Sequence, residues 1–318
     1  MSVKPLVSIV IPAYNSAKFI RETLDACLSQ TYTDTEIIVI DDGSHDKTVS
    51  IVQSYGDKIH LIQQANSGPA IARNTGIDAA RGDYIQFCDS DDILHPAKIQ
   101  RSMDLLLKHP DAALVYCQMQ PVDEQGSPVN DVPVAPDNSY FETENLFCKM
   151  LHANGSPIQT STILARKSCL TDAGMYRADP DHRCAEDWDL LLRLADKYRF
   201  VGIPEILVNY RVREGALTTD TLAMAEGRLK TVQYARHYTK RVDCINDSEY
   251  DFFEAGRYHL LAVKLWQQGN NADARAAFLT ASKLTPRSAT LRRLYAYMSY
   301  FLPYSAMDWL NKLLNTRS

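Results

Sequence analysis

The chain has 318 residues, 45% hydrophobic and 23% charged, which is ordinary for a soluble globular protein with one large domain and an appendage. Its net charge of -5 argues against non-specific binding to nucleic acid. No stretch reaches the roughly 18 uninterrupted apolar residues of a membrane span, and Lys4 is followed by no apolar secretion core, so the chain reads as neither exported nor membrane-spanning. Seven cysteines without a CxxC pair (Cys27, Cys88, Cys117, Cys148, Cys169, Cys184 and Cys244) read as reduced residues of a cytosolic protein.

Val7-Ser8-Ile9-Val10-Ile11, ended by Pro12, and Glu36-Ile37-Ile38-Val39-Ile40, ended by Asp41-Asp42-Gly43-Ser44, are continuous apolar runs, the pattern of buried parallel strands. Between them Phe19, Ile20, Leu24, Cys27 and Leu28 recur at helical spacing, and Asp46 to Tyr55 is a second amphipathic stretch. The alternation continues with a strand near His60 to Gln63, a helix from Pro69 to Ala80, the strand Tyr84 to Cys88, a helix from Pro96 to Lys108 and a strand near Ala113 to Cys117. Strands alternating with helices predict an α/β fold with a mostly parallel sheet flanked by helices.

In such sheets ligands bind beyond the carboxyl ends of the strands. Three polar clusters fall there: Pro12-Ala13-Tyr14-Asn15, Asp41-Asp42-Gly43-Ser44 and Asp89-Ser90-Asp91-Asp92. They would line one crevice, which suggests one ligand with several parts. The third cluster packs three carboxylates into four residues after a hydrophobic strand, and a divalent cation is the natural compensator of that repulsion. Helix capping by the same aspartates is the plainer alternative.

From Gln120 to Tyr140 the chain is rich in Pro, Asp, Gly and Asn and reads as a loop over the sheet, of the kind that acts as a lid. Apolar segments resume at Leu146 to Leu151, Ser161 to Ala165 and Val201 to Tyr210, so one domain is expected over 1–215 and an all-α extension over 216–318. Within the extension, Tyr258 to Ala262, Gly269, Ala272, Ala276 to Phe278, Ala281 and Pro286 follow the spacing of one tetratricopeptide-like helix pair. A last amphipathic helix is expected from Ser288 to Leu314, with Trp309 among its apolar residues and Arg287, Arg292, Arg293, Lys312 and Arg317 around them. Packing on the preceding helices is the preferred reading, and peripheral contact with a membrane surface is the alternative.

Taken together, Val7 to Asn15, Ile38 to Ser44, Asn66-Ser67-Gly68 with Ala72-Arg73-Asn74-Thr75-Gly76, Asp89-Ser90-Asp91-Asp92 and Glu186-Asp187 resemble the family 2 glycosyltransferases over about the first 215 residues. The resemblance implies a GT-A (Rossmann-like) fold, a nucleotide-diphosphate sugar donor, a divalent metal (Mn2+ or Mg2+) and inversion at the anomeric carbon. It gives Pro12, Ala13, Tyr14, Asn15 and Asp42 to the nucleoside, with Asp42 as partner of a uracil N–H and Asp41 orienting the turn or sharing that role, a strand-to-helix cap being the plainer alternative for both. It gives Arg73 to phosphate or to neighbouring carboxylates. Asp91 becomes the metal ligand, with Asp89 on the ribose or on metal-bound water. Asp187 becomes the general base that deprotonates the acceptor hydroxyl, with Glu186 as runner-up. Helix-start acids are common, so capping remains open for that pair.

One departure concerns the metal. Relatives carry His after the Tyr-Arg pair that follows this helix, whereas Tyr210-Arg211-Val212-Arg213 places Arg213 there, and arginine cannot ligate a metal. Arg213 or Arg211 is then expected to clamp the diphosphate. The whole predicts a cytoplasmic UDP-sugar glycosyltransferase, peripheral at the inner face of the membrane if the last helix binds there. It would act on a glycan or lipid-linked glycan acceptor in cell-surface polysaccharide synthesis. A nucleotidyltransferase is disfavoured because no Gly-rich, Lys/Arg-bearing loop follows the first strand. A non-catalytic nucleotide-binding adaptor working through the helical tail is the alternative.

Overall fold

The structure, a computed structural model, describes residues 4–129, 132, 135–136, 141, 146–153, 156–179, 182, 184–213, 220–238 and 245–285. The chain divides into two compact units, Met1–Ala178 with Glu186–Ala216, and Asp179–Ala185 with Leu217–Ser318.

The first unit is an α/β sheet of eight strands: β1 Val7–Ala13, β2 Thr35–Asp41, β3 His60–Gln63, β4 Tyr84–Phe87, β5 Ile93–Leu94, β6 Ala112–Val122, β7 Leu164–Arg166 and β8 Arg199–Arg211, in the order β3-β2-β1-β4-β7-β6-β8-β5. Around it lie α1 Ile20–Leu28, α2 Thr48–Gln53, α3 Pro69–Ala79, α4 Lys98–Lys108, α5 Leu146–His152, α6 Lys167–Asp172 and α7 Glu186–Lys197. Strands β3, β2, β1 and β4 pair in parallel, as their apolar runs predict. The sheet then turns mixed, because β7 enters antiparallel between β4 and β6, while β6 and β8 run parallel and β5 pairs antiparallel with β8. Strand β6 runs on through Val122 beyond the expected Cys117, since the long β8 supplies partners as far as Val122 opposite Arg211.

Both faces of the parallel half are covered, which explains runs without polar alternation. Ile9, Ile11, Ile37 and Val39 pack with Leu24 and Cys27 of α1 and with Met103 and Leu106 of α4. On the other face α3 comes so close that a Cβ on Gly76 would lie 2.3 Å from Val10 Cγ1 and 2.7 Å from Ile40 Cδ1. Only glycine fits there. Helix α3 starts at Gly68, whose φ of 86° favours glycine, followed by Pro69 in the first turn.

Lys98 lies fully buried under the sheet, with Nζ donating to Gln86 Oε1 at 2.8 Å and to Ser102 Oγ at 3.0 Å. Burial pushes its ammonium from 10.5 down to about 8. The folded state therefore disfavours the protonated form, and this deficit is present below pH 8 and relieved between about 8 and 10.5. At about 1.4 kcal/mol per pH unit the relief is about 3 kcal/mol. Urea denaturation of wild type and Lys98→Met should show a stability difference that shifts by this amount toward wild type over that window. A pH-independent difference would contradict the assignment.

In the second unit, α8 Thr221–Tyr238 precedes a helix pair, α9 Asp247–Gln267 and α10 Asn271–Leu284. Asn246 and Glu249 form a capping box at the start of α9, and Gly269 turns the chain between the two helices with a φ of 80°. Ala262, Leu265, Trp266, Ala274, Ala277 and Phe278 close their interface. The amphipathic stretch 288–314 lies outside the described residues, as does most of 130–145. Among the described residues no helix is long and apolar enough to cross a membrane. Cys27, Cys88, Cys117, Cys169 and Cys184 form no disulfide, but Cys148 is disulfide-bonded, which corrects the reading of all seven cysteines as reduced.

Candidate active site

The carboxyl ends of β1, β2 and β4 lie side by side, because β1 pairs with both neighbours in parallel register. The turn after β1 is stitched to the turn after β2. Asp42 N donates to Ala13 O at 2.8 Å, Asn15 N to Ser44 Oγ at 2.9 Å, and His45 N to Asn15 Oδ1 at 2.9 Å. Asn15 takes a left-handed φ of 48°, a conformation that asparagine tolerates through such local hydrogen bonds. Pro12 is half-buried and Ala13 buried, while Tyr14 stands 45% exposed, leaving its ring open to a planar group.

Asp41 and Asp42 are both buried. Asp41 Oδ2 accepts from Ser44 N at 3.3 Å, and its Oδ1 is buried with no hydrogen-bond partner. Asp42 is engaged within the fold: Oδ1 accepts from Gln64 Nε2 at 2.7 Å and Ser67 N at 2.9 Å, and Oδ2 from Gly68 N at 2.8 Å. It thus fixes the loop leading into α3 and keeps acceptor capacity at Oδ2, which receives one bond.

The acidic cluster after β4 divides into separate jobs. Asp92 is buried, accepting from Ser161 Oγ at 2.5 Å and from Arg211 N at 3.1 Å. Burial, with the charges of Asp91 and Asp89, raises its carboxyl well above the ordinary range. Asp89 and Asp91 each meet a different arginine. Asp89 Oδ1 accepts from Arg73 Nη2 at 2.8 Å, and Asp91 Oδ2 from Arg213 Nε. Burial raises the Asp91 carboxyl, Arg213 opposes that, and the Asp89 charge adds to it.

Arg73, almost fully buried, is the hinge of the site. Besides Asp89 it donates from Nη1 to Glu186 Oε1 at 3.1 Å, and its guanidinium lies 5.3 Å from the Tyr176 ring centroid. Burial disfavours the charge, but Asp89, Tyr176 and Glu186 together hold Arg73 more firmly protonated than usual. Its partners are carboxylates, one of which, Glu186, stands 113 residues away. Glu186 is thereby occupied, which sets it apart from its neighbour Asp187. Asp187 is half-buried, accepts from Trp188 N at 2.7 Å through Oδ1, and has its carboxyl pushed up to about 7 by burial and by the Glu186 charge. A carboxylate of that basicity suits proton abstraction near neutral pH.

Arg211 is not available as a phosphate clamp. Its Nε donates to Asp91 O, Nη1 to Asp123 O and Glu124 O, and Nη2 to Glu22 Oε2, while the guanidinium sits 4.8 Å from the Phe19 ring centroid. It ties β8 to the acidic turn. Trp188 is fully buried with Nε1 donating to Met150 O, which makes it a core residue of α7.

Ser16, Ser161 and Tyr176 lie in no motif and support the site with partners that do. Ser161 Oγ receives Asp89 N at 2.9 Å while donating to Asp92, and Ser16 Oγ pairs with Ser90 Oγ at 2.6 Å. Tyr176 stacks edge-on against Phe87 with 5.6 Å between centroids, and Asn74 brackets its backbone with bonds of 2.8 and 2.9 Å.

The donor set suits a hard divalent cation. Among the described residues no side chain donates to Asp89 Oδ2 or Asp91 Oδ1, which leaves an oxygen on each carboxylate. No group of three protein ligands is present among the described residues. That arrangement fits Mg2+ or Mn2+, which typically take one or two carboxylates and complete their shells with phosphate and water.

The sequence model of the Glycosyl transferase family 2 matches residues 8–156. An uncharacterized glycosyltransferase of Rickettsia typhi is 34% identical over 223 residues, covering 70% of this chain and 69% of its own. The amylovoran biosynthesis glycosyltransferase AmsB of Erwinia amylovora is 35% identical over 217 residues, 64% of this chain and 69% of its own. The chain belongs to glycosyltransferase family 2 and is a transferase of that class. Among solved structures, S. aureus TarS (residues 1–349) in complex with UDP-GlcNAc superposes with a TM-score of 0.67 at 18% identity, covering 93% of this chain and 87% of TarS. The mannosyltransferase PcManGT of Pyrobaculum calidifontis, in complex with GDP-Man and Mn2+, gives 0.61 at 19% identity over 97% of this chain and 88% of its own. These likenesses establish the GT-A fold.

Proposed function

We propose that the protein is an inverting glycosyltransferase that moves a sugar from a UDP-sugar to a hydroxyl of a glycan or lipid-linked glycan, in cell-surface polysaccharide synthesis at the cytoplasmic side of the membrane. The observation that carries this reading is the Arg73 bridge, which joins Asp89 of the acidic turn to Glu186 beside Asp187. A donor-binding turn and a poised base are thus brought into one site. UDP-GlcNAc in TarS supports the choice of nucleotide, and the name of AmsB is in keeping with a polysaccharide product.

In this reading the nucleoside lies along Pro12 to Asn15, with Tyr14 against the base and Asp42 Oδ2 receiving an imide N–H. A divalent cation held by Asp91 and Asp89 would offset the charge of the departing diphosphate. The acceptor oxygen attacks the anomeric carbon from the face opposite the nucleotide and passes its proton to Asp187 Oδ2. The bond from that carbon to the β-phosphate oxygen breaks, with its electron pair leaving on UDP. One displacement needs one base and inverts the centre.

Calorimetric titration of UDP tests the donor site. Wild type should bind UDP more tightly with Mn2+ than without, and Asp91→Ala should lose the metal-dependent part, at least tenfold in Kd. No binding of UDP by wild type under either condition would contradict the reading.

A further inference from the structure

The two carboxylates of the acidic turn are held by arginines of opposite character. Arg73 is locked, since its side chain is 7% exposed, bridges Asp89 and Glu186 and lies against Tyr176. Arg213 is not. Its side chain is 31% exposed against 16% for Asp91, and among the described residues its one bond runs from Nε to Asp91 Oδ2, with no partner for Nη1 or Nη2. The neighbouring Arg211 cannot take its place, being spent on Asp91 O, Asp123 O, Glu124 O and Glu22.

We propose that Arg213 is an intramolecular counter-cation that competes with the divalent metal for Asp91, and that its displacement turns the guanidinium to the donor diphosphate. The inference rests on the glycosyltransferase reading and adds a linkage to it. Guanidinium and metal both draw on the charge of one carboxylate, so a metal entering the free protein must weaken the Arg213 pair. A diphosphate in the site compensates, because the fork of a released guanidinium matches phosphate oxygens. Metal alone then binds weakly, metal and nucleotide bind tightly together, and each raises the affinity of the other by the same factor. Arg213 acts here through Asp91, as a positioning residue for the metal and a direct ligand of the diphosphate.

The test is Mn2+ binding to the nucleotide-free protein, followed by electron paramagnetic resonance, for wild type and Arg213→Met, which keeps the apolar stem and offers no metal ligand. Loss of the competitor should tighten Mn2+ about tenfold, the factor corresponding to about 1.4 kcal/mol for one charge-assisted bond. UDP measured at saturating Mn2+ should weaken at least tenfold in the same variant. A merely structural role would leave Mn2+ affinity unchanged or lower it, and either result in a folded variant overturns the proposal. So does an absence of Mn2+ binding in both proteins. Arg213→Leu serves if the methionine variant does not fold, with the same expectations. If wild type fails to bind UDP at all, the donor reading fails, while the Mn2+ comparison still judges Arg213 on its own.

Discussion

Asp187→Asn should lower kcat for sugar transfer by about 10²–10⁴-fold, the usual contribution of a positioned base, while UDP affinity changes little. Asparagine keeps the shape and the bond from Trp188 N but cannot take a proton. The pH profile sharpens the expectation. With the Asp187 carboxyl at about 7, the ionised form is lost as pH falls, so log kcat of wild type should decline with unit slope below about 7 and level above it. Burial raises this group first and the Glu186 charge second. Glu186→Gln removes the second cause, and the limb should move to lower pH. Steady-state rates between pH 5 and 9 check all three. An Asp187→Asn enzyme that keeps a third of wild-type kcat, with the same acidic limb, would contradict the assignment of the base.

Arg73→Met should destabilise the first unit by about 3 kcal/mol, because it strips a buried guanidinium from two carboxylates. Glu186, whose side chain is 10% exposed, carries most of that penalty, and Asp89, at 31%, is relieved in part by water. Arg73→Lys should recover less than half, since a single ammonium cannot bridge both acids and stack on Tyr176 as the planar fork does. Urea denaturation at pH 7 checks the order wild type, lysine, methionine. A methionine variant within 1 kcal/mol of wild type, a limit set at about the worth of an exposed pair, would mean the bridge is not a support of the fold.

The parallel half of the sheet was legible because strands buried on both faces leave uninterrupted apolar runs, as in Ile37 to Ile40. The acids at the strand ends were legible for a related reason, since charges next to a buried run must have a purpose or a partner, whereas Glu186 and Asp187 stood out only through the family resemblance. What the sequence hides is pairing over distance. Nothing local says that Leu164–Arg166 slips antiparallel beside β4, or that Arg73 meets Glu186. Tyr176 and Ser161 lie in no motif and enter the site only through the fold. Arg211 and Arg213 look alike in the chain, and only their surroundings separate a tie bound at every nitrogen from a cation with one bond among the described residues. Segment Asp179–Ala185 belongs with the helical unit although it lies between two parts of the sheet unit. There His182 Nε2 meets Thr231 Oγ1 at 2.8 Å on α8, a contact that no composition shift announces.

The most direct test of the account is release of UDP from UDP-sugars by wild type and by Asp187→Asn, with Mn2+ present and both proteins shown to bind UDP. The account predicts that at least one UDP-sugar is turned over by wild type, and that the variant, though it binds, releases UDP at least a hundredfold more slowly. Binding of UDP without release from any UDP-sugar by wild type would contradict it and leave a nucleotide-binding adaptor in its place.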